Sequence, residues 1–173
     1  MDEEVAYLGL GTNMGNRLNN LVDAKDRLRS ISGIRLGKTS SIYETEPVGM
    51  SAVASFLNAV CSVMTSLSPH QLLYSLKGLE SEMGRQNKGK MKPRIIDVDL
   101  LMYGSRKIQE DDLTIPHPQM HRRRFVLIPL CEIAPEAVHP VLAKNVRDIL
   151  LELGDEDSVR FYSEFPLKEV GER

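Results

Sequence analysis

The chain has 173 residues, 42% of them hydrophobic and 27% charged, which suits one soluble domain with a real core. A formal net charge of -2 leaves no global basic field to hold nucleic acid or an anionic membrane. The acidic start MDEEVAYLGL lacks the apolar region of a signal peptide, and no run nears the roughly 18 apolar residues of a membrane span, so a cytoplasmic protein is expected.

Val5 to Leu10 reads as a first strand, closed by Gly11 and the polar Thr12-Asn13. A helix follows from Arg17 to Ser30, with Leu18, Leu21, Val22 and Leu28 on its apolar face. Lys38 to Tyr43 reads as a second strand, and the next stretch, ETEPVGMSAVAS, as a loop. Phe56 to Leu67 alternates with period two: Leu57, Ala59, Cys61, Val63 and Leu67 face one way, Phe56, Asn58, Val60, Ser62 and Met64 the other. Ser68-Pro69-His70-Gln71 is a capping box with proline at the first helical position. It opens a helix striped by Leu72, Leu76, Leu79 and Met83 and ended by Gly84.

Residues 85–94 form a basic loop, and Ile95 to Tyr103 a strand. Arg123 to Ile133 is apolar and partly helical, bent or divided at Pro129. Asn145 to Leu153 is a short amphipathic helix, and the polar residues 155–173 are expected to fray. The order strand, helix, strand, strand, helix, strand predicts an α+β fold with a ferredoxin-like, mainly antiparallel sheet, its helices on one face and further helices C-terminal to it. One domain over 1–173 is expected. Cys61 and Cys131 both lie in apolar surroundings, as two buried thiols would.

The chemistry concentrates in KPRIIDVDLLMYG, residues 92–104. Carboxylates inside an apolar run are costly to bury unless paired or metal-bound. On a strand, Asp97 and Asp99 point the same way, about 6.5–7 Å apart at the backbone. Ile96, Val98, Leu100 and Met102 then face the core. Two such carboxylates repel each other unless a cation joins them, and hard oxygen donors beside phosphates suit magnesium. From Asp-x-Asp alone, two solvated carboxylates on an exposed face remain the plainer alternative. The preceding loop, with Arg85, Lys88, Lys90, Lys92 and Arg94 and no acid, supplies a polyphosphate clamp. Alone it would read as solvated surface. In LTIPHPQMHRRRFVL, His117 sits between two prolines, placed either for a nucleotide phosphate or for structure. The following arginines suit phosphate or a solvated helix start. Asn58 either offers a donor and an acceptor to a heterocycle with amide-like edges or is an exposed strand asparagine.

Taken together, YLGLGTNMGNR, SSIYETEPVG, FLNAV, LESEMGR, PRIIDVDLLMYG and LTIPHPQMHRRRFVLIPLCEIAPE resemble the 6-hydroxymethyl-7,8-dihydropterin pyrophosphokinases of folate biosynthesis, over roughly residues 5–140. The resemblance implies transfer of the β,γ-diphosphate of ATP to the pterin hydroxymethyl group, with AMP released and magnesium required, two ions being expected. It makes Asp97 and Asp99 the metal ligands, and Arg85 and Arg94 the phosphate-handling arginines. It puts Glu80, Lys88, Leu100, Thr114, His117 and Arg123 at or near the nucleotide. Thr45, Pro47, Val48, Phe56, Asn58 and Phe125 fall where the family holds the pterin, with Asp97 beside them. Lys92 stands where the family usually has glycine. A monomer acting on small molecules is expected. Its rivals are another magnesium-dependent nucleotidyl or phosphoryl transferase, or an RNA-binding module on the same topology. The second needs exposed stacking aromatics, and aromatics make up only 5% of the chain.

Overall fold

The computed structural model describes residues 2–46, 55–84, 95–155 and 158–166. In chain order these form β1 (Glu4–Thr12), α1 (Arg17–Ser30), β2 (Ile34–Thr39), β3 (Ile42–Thr45), β4 (Phe56–Thr65), α2 (Pro69–Glu82) and β5 (Asp97–Tyr103). There follow β6 (Ile108–Gln109), β7 (Thr114–Ile115), α3 (Arg124–Ile133), β8 (Val138–His139), β9 (Lys144–Asn145), α4 (Val146–Glu152) and β10 (Val159–Ser163). One antiparallel sheet runs β10-β3-β4-β1-β5, with β2 also paired to β4, and β5 lies at its edge.

The alternation in β4 sorts the core as its sequence requires. Leu57, Ala59, Cys61 and Val63 join Leu21, Ala24 and Leu28 of α1 and Leu72, Leu76 and Leu79 of α2 in one apolar layer. Val60 faces the other way and packs with Leu127 and Leu130 of α3 and Val146 and Ile149 of α4. The two crossover helices therefore cover one face and the C-terminal pair covers the other. The capping box is made: Ser68 Oγ accepts from Gln71 N at 3.2 Å, and Gln71 Oε1 accepts from Ser68 N at 2.9 Å. Asn145 caps α4 by accepting from Asp148 N at 2.8 Å.

Several boundaries depart from the sequence reading. The expected strand Lys38–Tyr43 is two strands, broken at Ser40-Ser41. Ser40 bonds Val60 through both its backbone and its hydroxyl, while Ser41 turns its N–H and hydroxyl to Glu132 on α3. β1 does not stop before Gly11 but runs through Thr12. β5 slips phase: Leu8 faces Leu100 and Tyr7 faces Met102, so Leu101 is an extra residue. Met102 consequently joins the α3 layer, and Tyr103 takes the place expected for it beneath α2. α3 continues undivided through the buried Pro129. Val159–Ser163, in the tail expected to fray, pairs with β3. An outer strand needs no apolar alternation, and here Arg160 reaches Glu44 at 3.3 Å while Phe161 meets Tyr43 edge-on. Cys61 is buried, which pushes its thiol up to about 12, whereas Cys131 is only half-buried.

Candidate active site

β5 carries Asp97 and Asp99 opposite two glycines of β1, Gly11 and Gly9. Val98 and Leu100 enter the layer under α2, so the two aspartates lie on the opposite face, each partly buried. Strand register extends this row: Tyr43, Asn58, Gly11 and Asp97 are successive partners across β3, β4, β1 and β5. Gly11 leaves a gap between an amide and a carboxylate. A Cβ there would lie 3.3 Å from Asn58 Oδ1 and 4.0 Å from the Phe56 ring. Asn58 is 6% exposed, and its Nδ2 donates to Thr45 Oγ1 at 3.0 Å. Thr45 is the cross-strand partner of Phe56. Thus Thr45, Phe56, Asn58 and Asp97, expected to act together, occupy one end of one sheet face. On that same face Phe125 packs against the α3 layer, beneath the Arg123 guanidinium 5.6 Å from its ring centre.

A cleft of about 310 Å³ opens beside the outer edge of β5. Glu80, Asp99, Leu100, Thr114 and His117 all line it. Glu80 is buried, and its Oε1 accepts the Val98 N–H at 2.7 Å. That N–H points out of an edge strand, so the carboxylate satisfies a donor the sheet cannot and ties α2 to β5. His117 N donates to Leu101 O at 2.8 Å, fastening the turn after β7 to the same edge. Gln119 N donates to His117 Nδ1 at 3.1 Å, so the neutral ring carries its proton on Nε2. Burial lowers the His117 pKa, and the Arg123 charge lowers it further, which keeps the ring neutral near pH 7. A second hollow of about 250 Å³, between α1 and α2 near Arg27 and Gly78, contains none of the expected residues.

Of the expected residues, Thr45, Phe56, Asn58 and Asp97 share one sheet face and Glu80, Asp99, Leu100, Thr114 and His117 line the edge cleft. Pro47, Val48, Arg85, Lys88, Lys92 and Arg94 lie outside the described residues. Of the arginine run, Arg124 is structural: it donates to the carbonyls of Leu153 and Gly154 at 3.2 Å and pairs with Asp155. Sequence reasoning missed Lys77, Asp111 and Asp112, which also line the cleft. Lys77 stands three residues before Glu80 on the same helix face, a spacing that could have found it. It also missed Gly11, where a Cβ would crowd Asn58 Oδ1. Alternate glycines within a strand mark a close approach, and YLGLG carried that signal.

The fold is α+β, with a mainly antiparallel sheet of ferredoxin-like topology. The family described as 7,8-dihydro-6-hydroxymethylpterin-pyrophosphokinase (HPPK) matches residues 7–135. The 2-amino-4-hydroxy-6-hydroxymethyldihydropteridine pyrophosphokinase of Aquifex aeolicus is 37% identical, over 82% of this chain and 88% of its own length. The Folic acid synthesis protein fol1 of Pneumocystis carinii is 41% identical over 91% of this chain, which spans only 21% of that longer protein. In fold, the chain matches Plasmodium falciparum HPPK-DHPS, solved with pteroate, at a TM-score of 0.69 and 17% identity, covering 87% of this chain and 44% of that one. The chain belongs to the 7,8-dihydro-6-hydroxymethylpterin-pyrophosphokinase family, a family of folate-synthesis enzymes that use ATP as co-substrate.

Proposed function

We propose that this chain transfers the β,γ-diphosphate of ATP to the hydroxymethyl oxygen of 6-hydroxymethyl-7,8-dihydropterin. That oxygen forms a bond to the β-phosphorus, the bond to the α-phosphate oxygen breaks, AMP leaves, and the hydroxyl proton passes to solvent. One observation carries the reading. Asp99 lines the edge cleft with Thr114 and His117, while Asp97, two residues away on the same face, stands in register with Gly11 and Asn58. The carboxylate pair thus spans the boundary between two binding surfaces, where a transferred group has to cross.

On the pterin side, the Asn58 amide presents hydrogen-bonding atoms beside a gap that only glycine leaves open, and Phe56 and Phe125 add apolar contact. On the nucleotide side, Leu100, Thr114 and the neutral His117 shape the cleft, with Glu80 holding its wall and Arg123 nearby. Asp97 and Asp99 fit magnesium: two hard oxygen donors share one strand face opposite two glycines, and no other side chain of that row lies between them and Asn58. When bound, magnesium supplies positive charge against the triphosphate. Arg85, Lys88 and Arg94 are assigned to the phosphates, and Pro47 and Val48 to the pterin. The reading includes a single domain over 1–173 working as a cytoplasmic monomer. Among the described residues, no helix is long and apolar enough to cross a membrane.

Incubation with ATP, magnesium and 6-hydroxymethyl-7,8-dihydropterin tests the proposal. AMP and the pterin diphosphate are expected in equal amounts. ADP or inorganic pyrophosphate as the product would overturn it.

A further inference from the structure

Arg17 closes the motif GTNMGNR, to which the reaction assigns no role. It is the first residue of α1, whose first turn contains no acidic residue. A cation there opposes the positive end of the helix dipole, so helix stability does not explain the residue. Its contacts do. Arg17 Nη1 donates to the Ser55 carbonyl at 2.7 Å and lies 2.8 Å from Glu44 Oε2. Glu44 lies on β3 next to Thr45, and Ser55 immediately precedes Phe56 of β4. One nitrogen therefore joins the two chain ends that flank residues 45–54.

The clip is reinforced on both sides. The Arg17 and Glu44 side chains are only 24% and 19% exposed, which limits screening by solvent. The other oxygen of Glu44 accepts from Arg160 at 3.3 Å, and the Tyr162 ring lies 5.9 Å from the Arg17 guanidinium, so β10 backs the pair. Asn20 Nδ2 donates to Thr12 Oγ1 at 3.2 Å and to Met14 O at 2.7 Å, holding the turn that leads from Gly11 to Arg17.

We propose that Arg17 is a positioning residue for pterin binding: it clips Glu44 to Ser55 and so sets Thr45, Phe56 and Asn58 at one spacing. This rests on the pterin reading above. The clip lies on the far side of the Asn58–Gly11–Asp97 row from the edge cleft, so it acts on one substrate and not the other.

Steady-state kinetics of Arg17→Ala, Arg17→Lys and Glu44→Gln, with the wild-type enzyme alongside, test it. Arg17→Ala is expected to raise KM for the pterin roughly ten- to a hundredfold, the range for losing a charge-assisted hydrogen bond. KM for ATP is expected to stay within about twofold of wild type. Arg17→Lys restores part of the loss, and Glu44→Gln reproduces part of it. Should Arg17→Ala not fold, the Lys and Gln variants carry the same split. A pterin KM unchanged in these variants, or an ATP KM rising in parallel, overturns the assignment of Arg17. A wild-type enzyme that makes no pterin diphosphate overturns the reading beneath it instead.

Discussion

The row from Asn58 through Gly11 to Asp97 lies within the sheet, whereas the cleft beside Thr114 and His117 lies at its open edge. The row is set by strand register: each member is opposite the next, and the gap exists because one strand offers glycine. The cleft is assembled from α2, β5, β7 and the turn after it, with hydrogen bonds at the outer backbone of β5 from Val98 N–H to Glu80 and from His117 N to Leu101 O. Register places the members of the first surface directly opposite one another, with no side chain at Gly11. Edge assembly makes the second depend in part on side-chain hydrogen bonds such as Val98 N–H to Glu80. Asp97 belongs to the row and Asp99 to the cleft, because a strand at the sheet edge has one neighbour and one open flank.

Breaking the carboxylate pair should have the largest effect. Asp97→Asn and Asp99→Asn keep the shape and lose the charge, and AMP formation is expected to fall by roughly 10²–10³-fold in each, with Tm near wild type. Near wild-type turnover in both would dissolve the link between the two surfaces. A sharper probe of the row is Gly11→Ala, whose Cβ would press on Asn58 Oδ1 at 3.3 Å. It should raise the pterin KM about tenfold and leave the ATP KM alone. Gly9→Ala, which meets Leu101 only at an ordinary 3.6 Å, is the milder control. Equal effects on both substrates would show that the surfaces are not separable.

The smallest effect belongs to the cleft. Burial and then Arg123 hold the His117 pKa below its ordinary 6.5, so the native state binds fewer protons than the unfolded chain. Stability is complete above that ordinary value and is lost as pH falls through it toward the native one. Thermal melts of wild type and His117→Gln between pH 8 and 5 should show the variant losing less Tm on acidification, by at most about a few degrees. Part of the acid sensitivity will persist, because burial and then His121 lower the His139 pKa in the same direction.

Residues whose role depends on near neighbours were legible from the chain alone. Period-two alternation separated the two layers on β4, Ser68 and Gln71 announced α2, and Asp-x-Asp in an apolar run placed two carboxylates on one face. Roles that depend on distant partners were not. Nothing local in Lys38–Tyr43 shows that Ser41 will prefer Glu132, 91 positions away, and so break the strand. Nothing in DVDLLMY marks Leu101 as the extra residue, since Leu8 and Tyr7 decide the slip from another strand.

The order of residues by itself determined the elements, the apolar stripes and the acidic pair, because backbone geometry fixes which neighbours share a face. Only the tertiary structure decided that Gly11 would part Asn58 from Asp97, that Glu80 would seal the edge of β5, and that Arg17 would join Glu44 to Ser55. Those are meetings between segments far apart in the chain, and their partners come together only once the sheet has closed its register.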